Sequence, residues 1–275
     1  MRAPIRRPCT AALALVLGLA QATPGLTQDP GDDWDIVRDR RNKQVMAYLQ
    51  FSNGLGITVR CLDGSLDAVI GGLPPPVNPE PSSIGISYRP LYMTFRDAEE
   101  YGGRWVIAVN DTMAVGLFPA PFARRLREGG ALQIRVPDGG GEGRSLSYRI
   151  ELPPSARHID EVLTTCDRPL DDPRDDVLGR DENPGLPASI IWERAPRPTF
   201  PNNSTYASGF AVISCNTRPD GSLEDCIAES QHPADSRFGR EALNATRRAR
   251  LQVAEDADAP VPVRRVFFTV TFRLM

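Results

Sequence analysis

Between residues 44 and 152 one device recurs: a short apolar or alternating run, closed by Gly, Pro, Asn or Asp. The runs are "QVMAYLQFS", "LGITVRCLD", "SLDAVIGGL", "LYMTFRD", "RWVIAVND", "TMAVGLFP", "ALQIRVPD" and "SLSYRIEL". They are rich in β-branched and aromatic residues, too short for helices, and spaced by turn formers. Such a series predicts antiparallel strands in a sandwich or barrel-like sheet. Only "APFARRLREG" (120–129) and "SARHIDEVLTTC" (155–166) carry helical spacing in this block, with Ser155 as the expected N-cap of the second. "LPPPVNPEPSS" (73–83) is too proline-rich to pair in a sheet and reads as an extended surface loop.

From residue 167 the composition changes. "DRPLDDPRDDVLGRDENPGLP" is dense in Asp, Pro and Arg and has no aromatic residue. It offers too little apolar surface to offset its ordering entropy, so residues 167–195 are expected to be an acidic, proline-rich linker. Beyond it lie strand "GFAVISCNTR", a turn, strand "LEDCIAESQ", helix "SRFGREALNATRRARLQ" and strand "VRRVFFTVTFRL". The helix carries Phe238, Ala242 and Leu243 on one side and Arg240, Arg247, Arg248 and Arg250 on the other. The predicted class is α+β: a sandwich-like front domain with two short helices (32–166), the linker, and a ββαβ domain (196–275).

The N-terminus reads as an export signal. Arg2, Arg6 and Arg7 precede the apolar run "AALALVLGLA", and Ala20-Gln21-Ala22 supplies a small-x-small cleavage site. The run is shorter than the roughly 20 apolar residues a spanning helix needs. Residues 1–22 are therefore expected to be removed in a bacterial periplasmic protein, taking Cys9 with them. Among 32 basic side chains only Lys43 is lysine, a skew expected of a GC-rich coding genome. The net charge of −3 gives no overall basic balance for nucleic acid or an anionic membrane.

Cleavage leaves Cys61, Cys166, Cys215 and Cys226, an even set suited to disulfides in an oxidising compartment, with three connectivities open. There is no close Cys-x-x-Cys pair, and His158 and His232 lack ligand spacing to any cysteine, so no metal or other cofactor is expected. In "SCNTRPDGSLEDC", Pro219 suits the second position of a type I turn and Gly221 its left-handed residue. A loop of two or four residues sets Cys215 opposite Cys226. A three-residue loop pairs Cys215 with Asp225 instead, and a disulfide then requires a second bulge to restore parity.

Candidate chemistry is sparse. His158 with Asp160 and Glu161 could form an acid–base group in an envelope hydrolase, yet an i, i+2 spacing puts His158 and Asp160 on different helix faces. No Gly-x-Ser-x-Gly elbow accompanies them, and no catalytic residue is expected. His232 sits beside a proline in a loop. The basic clusters "RDRRNK" (38–43) and "RRAR" (247–250) could meet phosphate, but charges at a helix's end also complement its dipole. "DDPRDD" (171–176) lacks the Asp-x-Asp-x-Asp-Gly pattern of a calcium loop and reads as solvated. Asn110 and Asn202 begin glycosylation-type triplets, which carry no weight in a bacterial protein. That leaves Val266, Phe267, Phe268, Val270 and Phe272 in the last strand, either a central strand or an edge that recruits another chain.

The last block resembles the TonB C-terminal domain family over residues 190–275. The likeness lies in "PRPTFP" (196–201), Gly209 with "FAVISC", "DGSLEDCIAES", "FGREALNATRRARL" and "PVPVRRVFFTVTFRL", in that order. The resemblance implies a ββαβ unit that binds a short strand of an outer-membrane protein by strand addition. A transducer of that family keeps an uncleaved membrane helix and a long spacer. The short apolar run and the linker depart from both, the linker being far too short to cross a periplasm at about 3.5 Å per residue. The front block is similar, through "RCLDGSLDAVIGG", "YRPLYMTFRD", "FARRLREGGALQIRV" and "IDEVLTTC", to small exported β-rich domains of the invasion-associated locus B type and of type VI secretion systems. That likeness implies envelope association, and a bond between Cys61 and Cys166 would join the two ends of the domain.

The expectation is a non-catalytic periplasmic protein whose C-terminal unit binds an envelope protein, such as an outer-membrane or secretion component, or a second copy of itself. The alternatives are an atypical TonB-type transducer or transport component with the signal retained as an anchor, and the envelope hydrolase.

Overall fold

The computed structural model describes residues 33–81, 86–108, 111–176, 185–202 and 204–274. The expected signal (1–22), Asn110 and part of the expected linker (177–184) lie outside them. The front block opens with β1 (Asp35–Asp39), β2 (Gln44–Gln50), β3 (Gly56–Leu62) and β4 (Ser65–Gly71). Then come β5 (Glu80–Pro81), β6 (Ser87–Phe95), β7 (Tyr101–Ile107), β8 (Ala114–Gly116), α1 (Pro119–Leu126), β9 (Gly130–Val136), β10 (Leu146–Leu152) and α2 (Arg157–Thr165). A turn of 3-10 helix at Pro173–Asp176 leads to β11 (Ile190–Arg194), β12 (Ser208–Thr217), β13 (Leu223–His232), α3 (Phe238–Thr246), β14 (Arg250–Val253) and β15 (Arg265–Arg273).

The α+β class is not what forms. Strands take 44% of the described residues and helices 13%, so the chain is mostly β, with every pairing antiparallel. Nor do the front strands split into two facing sheets. They make one ten-stranded sheet in the order β1-β2-β3-β4-β8-β7-β6-β9-β10, with β5 paired to β6. The simple ββαβ layout also fails, because the C-terminal block holds two sheets: β13-β12-β15 and a separate β11-β14 pair. Helical residues are too few to cover these sheets alone, and strands and loops do the rest.

Three further expectations are corrected. Glu80 and Pro81 pair with Tyr88 and Ser87 despite the prolines around them, because a proline on an edge strand forfeits no central ladder bond. Ala156, not Ser155, is the N-cap of α2, and that helix has no side-chain cap; the Ser155 hydroxyl accepts the Arg157 N–H at 3.4 Å. Residues 171–176 are not all solvated, since the Asp172 side chain is only 4% exposed.

Two apolar cores and a seam result. In the first core α1 and α2 pack on each other and on the sheet, with Phe122 edge-on to Trp105 at 5.2 Å, and Cys61 of β3 is bonded to Cys166 at the end of α2. The second core gathers Ile213, Cys215, Phe238, Ala242, Leu251 and the even-numbered residues of β15. Between them Tyr88, Val106, Val115 and Leu117 of the front block meet Phe210 and Val212 of β12. One face of the C-terminal sheet thus carries α3, and the other is covered by the front block.

A buried ionic chain crosses the same seam. Arg124 of α1 donates Nε to Asp175 at 2.5 Å and Nη1 to the Pro169 carbonyl at 2.9 Å. Arg174 bridges Asp172 at 2.5 Å and Glu229 of β13 at 2.9 Å. Glu229, 1% exposed, also accepts the Ser214 hydroxyl at 2.5 Å. Hydrogen bonds from Arg174 hold the Asp172 carboxyl below its ordinary range against the pull of burial.

Candidate protein-interaction site

The hairpin that builds the C-terminal sheet solves its parity problem in two steps. Gly221 N–H donates to Arg218 O at 2.9 Å and Arg218 N–H to Ser222 O at 3.0 Å, closing a three-residue loop over Pro219, Asp220 and Gly221. Gly221 has φ +75°, and a Cβ there would lie 2.0 Å from the Leu251 carbonyl, so only glycine fits. That loop pairs Thr217 with Leu223 and Asn216 with Glu224. A second irregularity follows at Asp225, φ +48°, whose carboxylate accepts Asn216 Nδ2 at 3.1 Å. The register resumes at Ser214 opposite Ile227, Cys215 faces Cys226, and the two are disulfide-bonded with Cα atoms 4.1 Å apart.

In β15 the side chains and the backbone have separate tasks. Val266, Phe268, Val270 and Phe272 point into the C-terminal core and are at most 5% exposed. Phe272 stacks on Phe238 with centroids 4.3 Å apart, and Phe268 meets Trp192 edge-on at 4.9 Å. Gly209, opposite Phe272, must be glycine because a Cβ would come 2.3 Å from the Phe238 ring. Phe267 points to the other face, edge-on to Phe118 of the front block at 5.7 Å. All five side chains proposed for the interaction strand are therefore buried, and none of them presents a contact surface.

The backbone is different. Thr217 N–H donates to Arg264 O and Leu274 N–H to Ala207 O, each at 2.8 Å, at the two ends of the β12–β15 ladder. Hydrogen-bonded pairs recur every second residue, so even-numbered residues of β15 bond to β12 and odd-numbered ones turn their N–H and C=O away. Arg265, Phe267, Thr269, Thr271 and Arg273 thus line an edge with no strand partner among the described residues. The opposite edge is partly occupied. On β13 the Ala228 carbonyl accepts Arg168 Nη2, and the Ser230 hydroxyl donates to the Leu117 carbonyl at 2.6 Å, so the front block sits against it. The alternation of β15 signalled a strand, but which parity faces outward depends on the register with β12, which no residue spacing reveals.

The remaining candidates disperse. His158 Nδ1–H donates to the Trp34 carbonyl, Asp160 pairs with Arg127, and Glu161 pairs with Arg38 at 2.5 Å. Each of the three ties α2 to a different neighbour, and the carboxylate beside the His158 ring is Asp33, 3.8 Å from Nδ1. His232 stacks on Phe210 at 5.9 Å, and burial pushes its pKa down. The cluster at 247–250 starts at the C-cap of α3 and runs into β14 rather than occupying the helix's last turn. Among the described residues no group of His, Cys, Asp or Glu has metal-binding geometry, and no helix is long and apolar enough to cross a membrane.

No family model and no curated protein matches the chain. Among solved structures, the solution NMR structure of the Pseudomonas aeruginosa TonB CTD is similar, at 19% identity over 32% of this chain and 89% of that chain, with a TM-score of 0.27. A likeness that weak carries no conclusion about this fold.

Proposed function

We propose that this chain is a non-catalytic protein of the bacterial periplasm whose C-terminal unit, residues 196–275, binds another envelope protein by strand addition along β15. One observation supports the reading: the outward backbone groups of β15 have no partner among the described residues, whereas at the other edge of the same sheet the front block engages β13 at Ala228. An extended segment laid on that edge gains a ladder of main-chain hydrogen bonds. Two disulfides suit an oxidising compartment. A second copy of the chain is a poorer occupant. In the antiparallel register that pairs the whole of β15 with itself about Thr269, Arg265 faces Arg273 at both ends, and like charges directly opposite are destabilising.

The test is capture from periplasmic extract with the full chain, its Thr269→Pro variant and its Thr269→Val variant. Proline removes one outward N–H and leaves the bonds to β12 in place. A genuine partner is held by wild type and Thr269→Val and lost by Thr269→Pro. A partner retained by Thr269→Pro refutes strand addition at this edge. A mature N-terminus near Thr23 in the periplasmic fraction is expected, and an intact N-terminus in the membrane fraction would favour an anchored protein.

A further inference from the structure

A cleft of about 840 Å³ opens where the β1–β2 and β3–β4 turns of the front block face β13 and the start of α3. Its size suits a single small ligand. The acids in its wall are already engaged: Asp63 by Lys43 at 2.8 Å, Asp235 by the Tyr206 hydroxyl at 2.7 Å, and Glu229 by Arg174. Of the cations, Lys43 is held by Asp63, Arg240 pairs with Glu241 at 3.4 Å, and Arg168 bonds the Ala228 carbonyl. The Arg41 and Arg237 guanidiniums, one on each side of the cleft, make no ion pair or hydrogen bond with the described residues. The Tyr206 hydroxyl leaves the Asp235 charge in place, but five cations (Arg41, Lys43, Arg168, Arg237 and Arg240) line the cleft against three carboxylates, so its balance is positive.

Arg237 is further marked by its backbone. It occupies the N-cap position of α3 with φ +64°, in the left-handed region that a long side chain seldom adopts, and it makes no side-chain cap. Glycine or asparagine would cap that helix at lower cost, so an arginine held there calls for a reason outside the fold. Neutral groups complete the wall: the Ser65 hydroxyl and the Gln44 amide have no hydrogen-bond partner among the described residues. In the floor, Arg168 Nε and Glu229 Oε2 are an unpaired donor and an unpaired acceptor. A hydroxyl both donates and accepts and matches such a mixed set. No aromatic ring lines the cleft, which disfavours a stacked base.

We propose that the cleft binds a hydroxyl-bearing anion of saccharide size, its phosphate or carboxylate held between Arg41 and Arg237 and its hydroxyls met by the neutral groups of the wall. This site is separate from the β15 edge. The experiment is titration calorimetry of the full chain with glucose 6-phosphate and with glucuronate, alongside glucose and inorganic phosphate as controls. At least one acidic sugar is expected to bind ten-fold or more tighter than either control, and which of the two prevails identifies the anion. Arg237→Gly, which suits a left-handed residue, is expected to keep or raise the Tm and to weaken that binding about ten-fold. Thr269→Pro should bind the sugar as wild type does. The proposal is overturned if neither acidic sugar binds, if glucose or phosphate alone binds as tightly, if Arg237→Gly leaves the affinity unchanged, or if Thr269→Pro abolishes it.

Discussion

The two outer strands of the C-terminal sheet start from the same chemistry, a row of backbone groups with no intrinsic partner, and end differently. Along β13 the front block comes close: Arg168 takes the Ala228 carbonyl, while the Glu229 and Ser230 side chains join the ionic chain and reach the Leu117 carbonyl. Along β15 the row meets no strand among the described residues. Their side chains contrast in the opposite sense. In β15 five of the nine are apolar and all five are buried, whereas β13 carries Glu224, Asp225 and Gln231. An edge is therefore open or closed according to what the rest of the chain brings to its backbone, and apolar side chains are no guide to it.

The most severe way to separate side-chain from backbone roles in β15 is Phe272→Ala. Phe272 is 2% exposed and lies between Phe238 and Phe200 in the smaller core. Its removal should cost about 3–5 kcal/mol in urea unfolding, because the rigid surroundings cannot close the cavity. Thr271→Ala, one residue away with an exposed side chain, should change stability by less than about 0.5 kcal/mol. Similar costs for the two would mean that the side chains of β15 do not divide between core and edge in this way.

The partly occupied edge is tested next by Arg174→Met. That change removes the ion-pair partner of Glu229, leaving Arg168 and Arg265 as more distant cations, and leaves Asp172 paired with Arg124 at 3.5 Å. Stranding a buried carboxylate costs about 3 kcal/mol. Amide exchange should then accelerate at Ser230, which pairs with Val212 and reaches the Leu117 carbonyl, and leave Val270 as it was. The chain also predicts a pH dependence. The folded-state pKa of Asp172 lies below its unfolded value, so its contribution is fully present above about pH 4, the ordinary aspartate range. That contribution falls away as pH drops through the lowered folded value. The loss of stability on acidification should be shallower in Arg174→Met, and an unchanged acid limb would remove Asp172 from the account.

How much of this could be read beforehand follows from the range of the interactions. The strands of β12, β13 and β15 are written in local alternation, and Gly209 and Gly221 mark close approaches that no other residue permits. The second irregularity at Asp225 is not written there, because aspartate in a left-handed conformation leaves no trace in composition. The order β4-β8-β7-β6-β9 joins segments far apart in the chain, and alternation carries no information about which strands pair. The ionic chain was missed for a related reason. "DDPRDD" has the composition of a solvated linker, and only the placing of Arg124, Arg174 and Glu229 around it buries the Asp172 side chain. The charged cleft was missed likewise, since Arg41 and Arg237 lie on different blocks.

The smallest expected effect bears most directly on the open edge. If odd-numbered residues of β15 face outward, Thr269→Pro removes an N–H that bonds nothing in the described chain, and the preceding Phe268 is already extended, as a residue before proline prefers. Stability should fall by only about 1 kcal/mol, the tolerance expected of an edge strand. Val270→Pro, one position on, should lose a ladder bond to Ala211 and cost about 3 kcal/mol or more. The same parity predicts an alternating hydrogen-exchange pattern in the wild-type protein, slow at Val266, Phe268, Val270 and Phe272 and fast at Phe267, Thr269 and Thr271. Equal losses for the two proline variants, together with uniform protection along β15, would mean that its outer edge is covered, and strand addition would then have no place to begin.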